Sequence, residues 1–288
     1  LGVDLATVQG TGLQGRVSRG DVERYVKSRL TQPHLARAGP MAGAAIPPIA
    51  AVDFSKFGPV QTQSMSRIMR ISGPFLQRAW LNIPHVTYHD DADITDLEAF
   101  RKSLQASQDT GDVHITPLAF FMKVLAKALR KFPILNASLS PDGEQLILKQ
   151  YVHIGVAVDT PDGLVVPVVR DVDSKGIVEL AEALAIASQR ARTGKLRPAE
   201  MQGGCMSISS LGGIGGTGFT PIVNAPEVAI LGIARSRMMP VWNGTDFEPR
   251  LLLPLSLSFD HRVVDGAEGA RFINYVCAQL QDVRKLLL

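Results

Sequence analysis

The stretch LSLSFDHRVVDGAEGARF, residues 255–272, decides how the rest of the chain is read. An apolar run ending at Phe259 gives way to Asp260-His261-Arg262-Val263-Val264-Asp265-Gly266. A second apolar row, Phe272, Ile273, Val276, Cys277, Leu280 and Val283, then follows at helical spacing. The order is strand, turn, helix. Turns at strand ends display side chains from a rigid support, and a histidine titrates close enough to neutral pH to exchange a proton there. His261 is therefore a candidate base. The same residues also suit a plain turn, with His261 and Asp265 bonding locally and Gly266 supplying an unusual backbone angle. The surroundings have to decide between the two.

Working outward, EVAILGIA (227–234) and LLLPLSLSF (251–259) have the length and apolarity of strands. ITDLEAFRKSLQ (94–105), PLAFFMKVLAKALRKF (117–132) and GIVELAEALAIASQRARTG (176–194) carry apolar rows at helical spacing. HIGVAVDTPDGLVVPVVRD (153–171) reads as two strands about a Pro-Asp-Gly turn. Alternating helix and strand signals from residue 64 to 288 predict one mixed α/β domain. Residues 31–63 hold five prolines among much Ala and Gly, show neither a helical nor a strand period, and read as a linker. Residues 1–30 are too few to bury a core alone. They look like part of a small helical module, with DVERYVKSRL as a helix and Asp21 placed to cap it.

Composition excludes several classes. The 288 residues are 45% hydrophobic and 20% charged, with a net charge of +3. Lys and Arg are scattered, without the basic stripe that nucleic-acid binding uses. Cys205 and Cys277 lie far apart with no CxxC spacing, so neither a zinc site nor a disulfide framework is indicated, and both read as buried thiols. The longest apolar stretch is interrupted by Lys123 and Lys127, short of a membrane span. Two glycine loops, GTGLQG (10–15) and GIGGTG (213–218), match G-x-G-x-x-G literally. A dinucleotide loop needs a strand before it, a helix directly after it and an acidic residue about 20 positions on. The first loop has no Asp or Glu between Arg24 and Val52, and the second runs into Pro221 and Pro226. Both read as turn glycines, against a nicotinamide enzyme.

DHRVVDGAEGARF resembles the HxxxDG signature of the dihydrolipoamide acyltransferases, core components of 2-oxo acid dehydrogenase complexes. SRIMRISGPFLQRAWLNIPHVTYHDDADITDLEAFRKSL, HIGVAVDTPDGLVVPVVRDV and MSISSLGGIGGTGFTPIVNAPEVAILGIA agree with that family in order. The resemblance is to its bacterial acetyltransferase members, of the pyruvate dehydrogenase complex. LGVDLATVQGTGLQGRVSRGDVERYV is similar to the second half of the family's peripheral-subunit-binding domain, its first helix missing. The start at Leu1 without Met fits a fragment of a longer chain that carries lipoyl domains upstream.

The resemblance implies a chloramphenicol acetyltransferase-like fold, a mixed sheet with flanking helices. It implies acetyl transfer between a dihydrolipoyl thiol and the thiol of coenzyme A, and no protein nucleophile, because transfer is direct between two bound thiols. His261 would be the base and a serine of ISSLG, Ser209 before Ser210, the oxyanion donor. Asp265 would hold the turn by pairing with a cation, Arg101 being the candidate, though Asp159 could claim the same arginine. Arg67 and Arg70 match basic positions near the coenzyme A entrance. The family builds its site between subunits of a homotrimer, and trimers assemble into a cubic 24-mer or a dodecahedral 60-mer. Pyruvate dehydrogenase and dihydrolipoamide dehydrogenase would be the bound partners, in a bacterial cytoplasm. Succinyl or branched-chain acyl groups, or a catalytically silent scaffold, are the alternatives.

Overall fold

A computed structural model describes residues 8–12, 15–31, 49–107 and 113–287. The chain divides into two compact units, Leu1–Thr62 and Gln63–Leu288. The stretch expected to be a linker lies in part outside the described residues.

In the first unit α1 spans Arg19–Thr31. The sequence places Asp21 as its cap; Ser18 does that work. The Ser18 hydroxyl accepts the Asp21 N–H at 3.3 Å while the Asp21 carboxylate accepts the Ser18 N–H at 2.9 Å, the reciprocal arrangement of a capping box. Asp21 also accepts the Thr11 N–H and hydroxyl, so its carboxyl is held far below the usual range, chiefly by the Ser18 and Thr11 amides. Gly10 shows what the first glycine loop is for. A Cβ there would meet the Gly15 carbonyl at 2.4 Å, so the loop folds on its own backbone.

The second unit begins with α2 (Arg67–Asn82), β1 (His85–Asp93), α3 (Thr95–Ala106) and α4 (Pro117–Lys131). Short strands follow: β2 (Ala137–Leu139), β3 (Leu146–Leu148), β4 (Ile154–Val156), β5 (Val158–Thr160), β6 (Gly163–Val165) and β7 (Val168–Val169). Then come α5 (Ile177–Arg192), β8 (Met206–Ser210), β9 (Ala229–Ile233), β10 (Arg237–Trp242), β11 (Phe247–Asp260) and α6 (Gly266–Gln281). The main sheet runs β1-β11-β9-β8-β4-β7, with β10 also paired to β11. It is mixed: β4, β8 and β9 are mutually parallel, whereas β11 is antiparallel to β1, β9 and β10.

Strand alternation gives the sheet two unlike faces. Leu253, Leu255, Leu257 and Phe259 of β11 enter the core with Phe120, Met122, Leu125 and Leu129 of α4 and Phe272, Ile273 and Val276 of α6. Each such side chain contributes about 1.5–3 kcal/mol on burial. The lysines that interrupt α4 reach out to carbonyl groups: Lys123 donates to Asp173 and Lys175, and Lys127 to Lys285. The opposite face is polar, with Thr87 bonded to Ser258 at 2.7 Å and His89 to Ser256 at 2.9 Å.

Candidate active site

β11 carries the chain to His261 and stops there for local reasons. The Asp260 N–H donates to Val228 O, and the Val263 and Val264 amides both fold back onto Asp260 O. The Asp260 carboxylate is buried and grips Arg262 through two nitrogens, Nη2 to Oδ2 at 2.6 Å and Nε to Oδ1 at 2.9 Å. Val264, fully buried, pins the turn from below. The His261 N–H donates to Pro84 O at 3.0 Å. Its imidazole is exposed, 5.8 Å from the Phe259 ring, and makes no hydrogen bond among the described residues. The backbone of the turn is thus held at Asp260, His261, Val263 and Val264, while the His261 ring is left without a hydrogen-bond partner among the described residues.

Asp265 holds this turn, by another route than the one expected. It is the N-cap of α6, its carboxylate accepting the Glu268 N–H at 2.7 Å. Arg101 pairs with neither Asp265 nor Asp159. Glu98, three residues earlier on α3, takes it with bonds of 2.7 and 2.8 Å, and the remaining nitrogen donates to Ile115 O at 2.9 Å. The reason is proximity: residues i and i+3 share a helix face, and both side chains are mostly buried. Asp159 is exposed on β5. Arg67 and Arg70 are exposed on the first turn of α2, capped by Ser66, and make no ion pair among the described residues.

Ser209 and Ser210 are separated by the pleat. Ser209 is half-buried and in register with Gly232 of β9, on the polar face. Ser210 points to the opposite side, into a cavity of about 970 Å³ whose wall also carries Asp159, Glu98, Lys102 and Arg192. Ser209 makes no side-chain hydrogen bond among the described residues, which leaves its hydroxyl free to donate. His261 lies elsewhere in the same chain. Gly232 is in register with Ser256 of β11, five residues before His261. Two strand spacings, roughly 10 Å, and five residues of strand, roughly 16 Å, put the two backbones roughly 19 Å apart. One chain does not bring them together.

Sequence reasoning passed over two polar groups at the histidine's end of the sheet. His85 sits in register with Asp260, and Glu227 is buried beside Ser207 and Asn224. Burial pushes the Glu227 carboxyl up to about 7. Both stand in stretches that agree with the family, but no spacing or residue pattern singles either out, so only the tertiary fold exposes its partners. Cys205 is buried and Cys277 half-buried, and burial pushes the Cys277 thiol up to about 12.

Comparison with known proteins identifies the family and agrees with the fold. Residues 57–288 match the family of 2-oxoacid dehydrogenases acyltransferase (catalytic domain), and residues 1–23 match the e3 binding domain. The chain is 54% identical, over its whole length, to the dihydrolipoyllysine-residue acetyltransferase component of the pyruvate dehydrogenase complex of Haemophilus influenzae. It spans 53% of that protein, about half the length of the curated relatives it matches. The solved dihydrolipoamide acetyltransferase of Azotobacter vinelandii is 53% identical, with a TM-score of 0.83, over 84% of this chain and 100% of that one. The cubic core of the pyruvate dehydrogenase multienzyme complex superposes with the same identity, coverage and TM-score. On the match over residues 57–288 and these identities, the chain belongs to the 2-oxoacid dehydrogenase acyltransferase family.

Proposed function

We propose that this chain transfers an acetyl group between a dihydrolipoyl thiol and the thiol of coenzyme A, as a subunit of a pyruvate dehydrogenase complex core. The observation that carries the reading is the unpartnered, exposed His261 ring on a turn held by the Asp260–Arg262 pair, the Pro84 carbonyl and the Asp265 cap. A neutral ring nitrogen would take the proton of the coenzyme A thiol as its sulfur attacks the acetyl carbonyl. The Ser209 hydroxyl would donate to the tetrahedral oxyanion, an interaction typically worth about 3 kcal/mol of barrier. On collapse the carbon–sulfur bond to the dihydrolipoyl group breaks, and His261 returns the proton to the departing sulfur.

Spacing supports the two residues. Work on the Azotobacter relative concerns a serine, a histidine and an asparagine in its catalytic mechanism. That serine precedes the histidine by the same number of residues as Ser209 precedes His261, and the asparagine follows it by four, where this chain has Asp265. Because the two residues lie far apart in one chain, His261 of one protomer would meet Ser209 of its neighbour in a trimer, the trimers building a cubic core in a bacterial cytoplasm. Arg67 and Arg70 would face the phosphates of coenzyme A, and the module at residues 1–23 would serve to recruit dihydrolipoamide dehydrogenase. Acetyl transfer from acetyl-coenzyme A to free dihydrolipoamide tests the reading. Activity that disappears in His261→Ala, with assembly intact by light scattering, is the expected result; no transfer by the wild-type chain would sink it.

A further inference from the structure

His85 opens β1 in register with Asp260, and both of its ring nitrogens are engaged. Nδ1 lies 2.7 Å from Ile83 O, an acceptor, so Nδ1 carries the hydrogen. Nε2 lies 2.9 Å from the Val223 N–H, a donor, so Nε2 presents its lone pair. These two partners give the ring one arrangement of roles, Nδ1 donating and Nε2 accepting. The indole of Trp80 stacks over the ring, with centroids 5.5 Å apart and planes 26° apart, and fixes its orientation as well. With the ring in place Ile83 and Val223 are both buried, so each backbone group depends on the ring for this bond.

Between Ile83 and His85 stands Pro84, whose carbonyl accepts the backbone N–H of His261. The path is short. His85 ties the Ile83-Pro84-His85 segment to Val223 on one side, and Pro84 O fixes the backbone that bears the His261 ring on the other. We infer that His85 is a positioning residue for acyl transfer, holding His261 in place through Pro84. It touches neither substrate nor the reacting atoms. The inference rests on His261 being the base.

A displacement of the reacting group by about 1 Å lowers a rate by as much as a hundredfold, so loss of the tie appears in turnover rather than in substrate binding. The test compares His85→Ala, His85→Gln and His261→Ala in acetyl transfer to dihydrolipoamide, with assembly checked by light scattering. His85→Ala is expected to lower kcat about tenfold to a hundredfold and to leave the KM for acetyl-coenzyme A unchanged. His85→Gln is expected to recover most of that loss, since the glutamine oxygen takes the place of Nε2 and accepts from Val223. Should His85→Ala not assemble, His85→Asn replaces it, offering a donor to Ile83 and nothing to Val223. Wild-type kcat in His85→Ala, or equal loss in the glutamine and alanine variants, overturns the inference. Retained activity in His261→Ala is a separate result, which removes the base assignment itself.

Discussion

Glu227 lends itself to a quantitative test. Its Oε1 accepts from the Ser207 hydroxyl at 3.0 Å and from the Asn224 amide at 3.1 Å, whereas Oε2 is buried with no partner. Gly204 presses against it, since a Cβ there would lie 2.6 Å from Oε1. Burial raises the carboxyl from 4.5 to about 7, with the Ser207 and Asn224 bonds and the nearby Lys149 opposing the rise. A carboxyl whose folded pKa is raised contributes its full stability below the unfolded value and loses it as pH climbs through the folded one. The loss therefore falls between pH 4.5 and about 7. At 1.36 kcal/mol per tenfold change in proton affinity, it amounts to about 3 kcal/mol.

Glu227→Gln keeps an oxygen for Ser207 and Asn224 and cannot ionise. The variant is expected to match the wild type near pH 4.5 and to exceed it by about 3 kcal/mol at pH 8. Urea denaturation of both proteins at each pH, at one fixed protein concentration, reads the difference directly. Lys149, its ammonium disfavoured by burial, is present in both proteins. A stability difference that is the same at both pH values would refute the reasoning.

Two further outcomes follow from the geometry. A Cβ on Gly269 would sit 2.7 Å from Cε1 of the fully buried Phe259, so Gly269→Ala should force α6 away from β11 and cost about 1–3 kcal/mol, readable as a lower urea midpoint. Ser209→Ala should lower kcat by roughly a hundredfold to a thousandfold with the KM for coenzyme A unchanged, while Ser210→Ala, on the opposite face, stays near wild type; the reverse ranking would move the oxyanion donor by one residue.

Much of this fold is legible in the sequence because its signals are local. The apolar rows of α3, α4, α5 and α6 each bury a stripe on one core, so the helical period survives. β11 was harder to read. Its apolar run marks the end buried between β1 and β9, whereas the part paired only with β10, residues 247–251, is exposed up to Pro249 and half-buried beyond it, and mixes Glu248 and Arg250 with a proline. Residues 153–171, read as two strands, form four short ones, interrupted at Ala157 and again ahead of Pro167, because β4 and β7 join the main sheet while β5 and β6 form a hairpin of their own.

The site was legible where a motif names residues and illegible where partners are chosen in space. His261, Asp265 and Ser209 stand in recognisable stretches. Three carboxylates were within conceivable reach of Arg101, and the nearest along the helix, Glu98, won on geometry that the i, i+3 spacing already contained. His85 also stands in a recognisable stretch, but nothing there names its partners. Its bonds to Ile83 and Val223 span a loop whose path is set only once β1 has paired with β11.

The central claim is that two residues far apart on one chain make one site between chains, and mixing two dead variants tests it most directly. His261→Ala and Ser209→Ala subunits, co-expressed in equal amounts and assembled together, place an intact serine opposite an intact histidine at about a quarter of interfaces in a cyclic trimer. Acetyl transfer restored to about a quarter of wild type, where each variant alone is inactive, is the result this account predicts. Mixed assemblies no more active than their parents would contradict it and return both residues to a single chain.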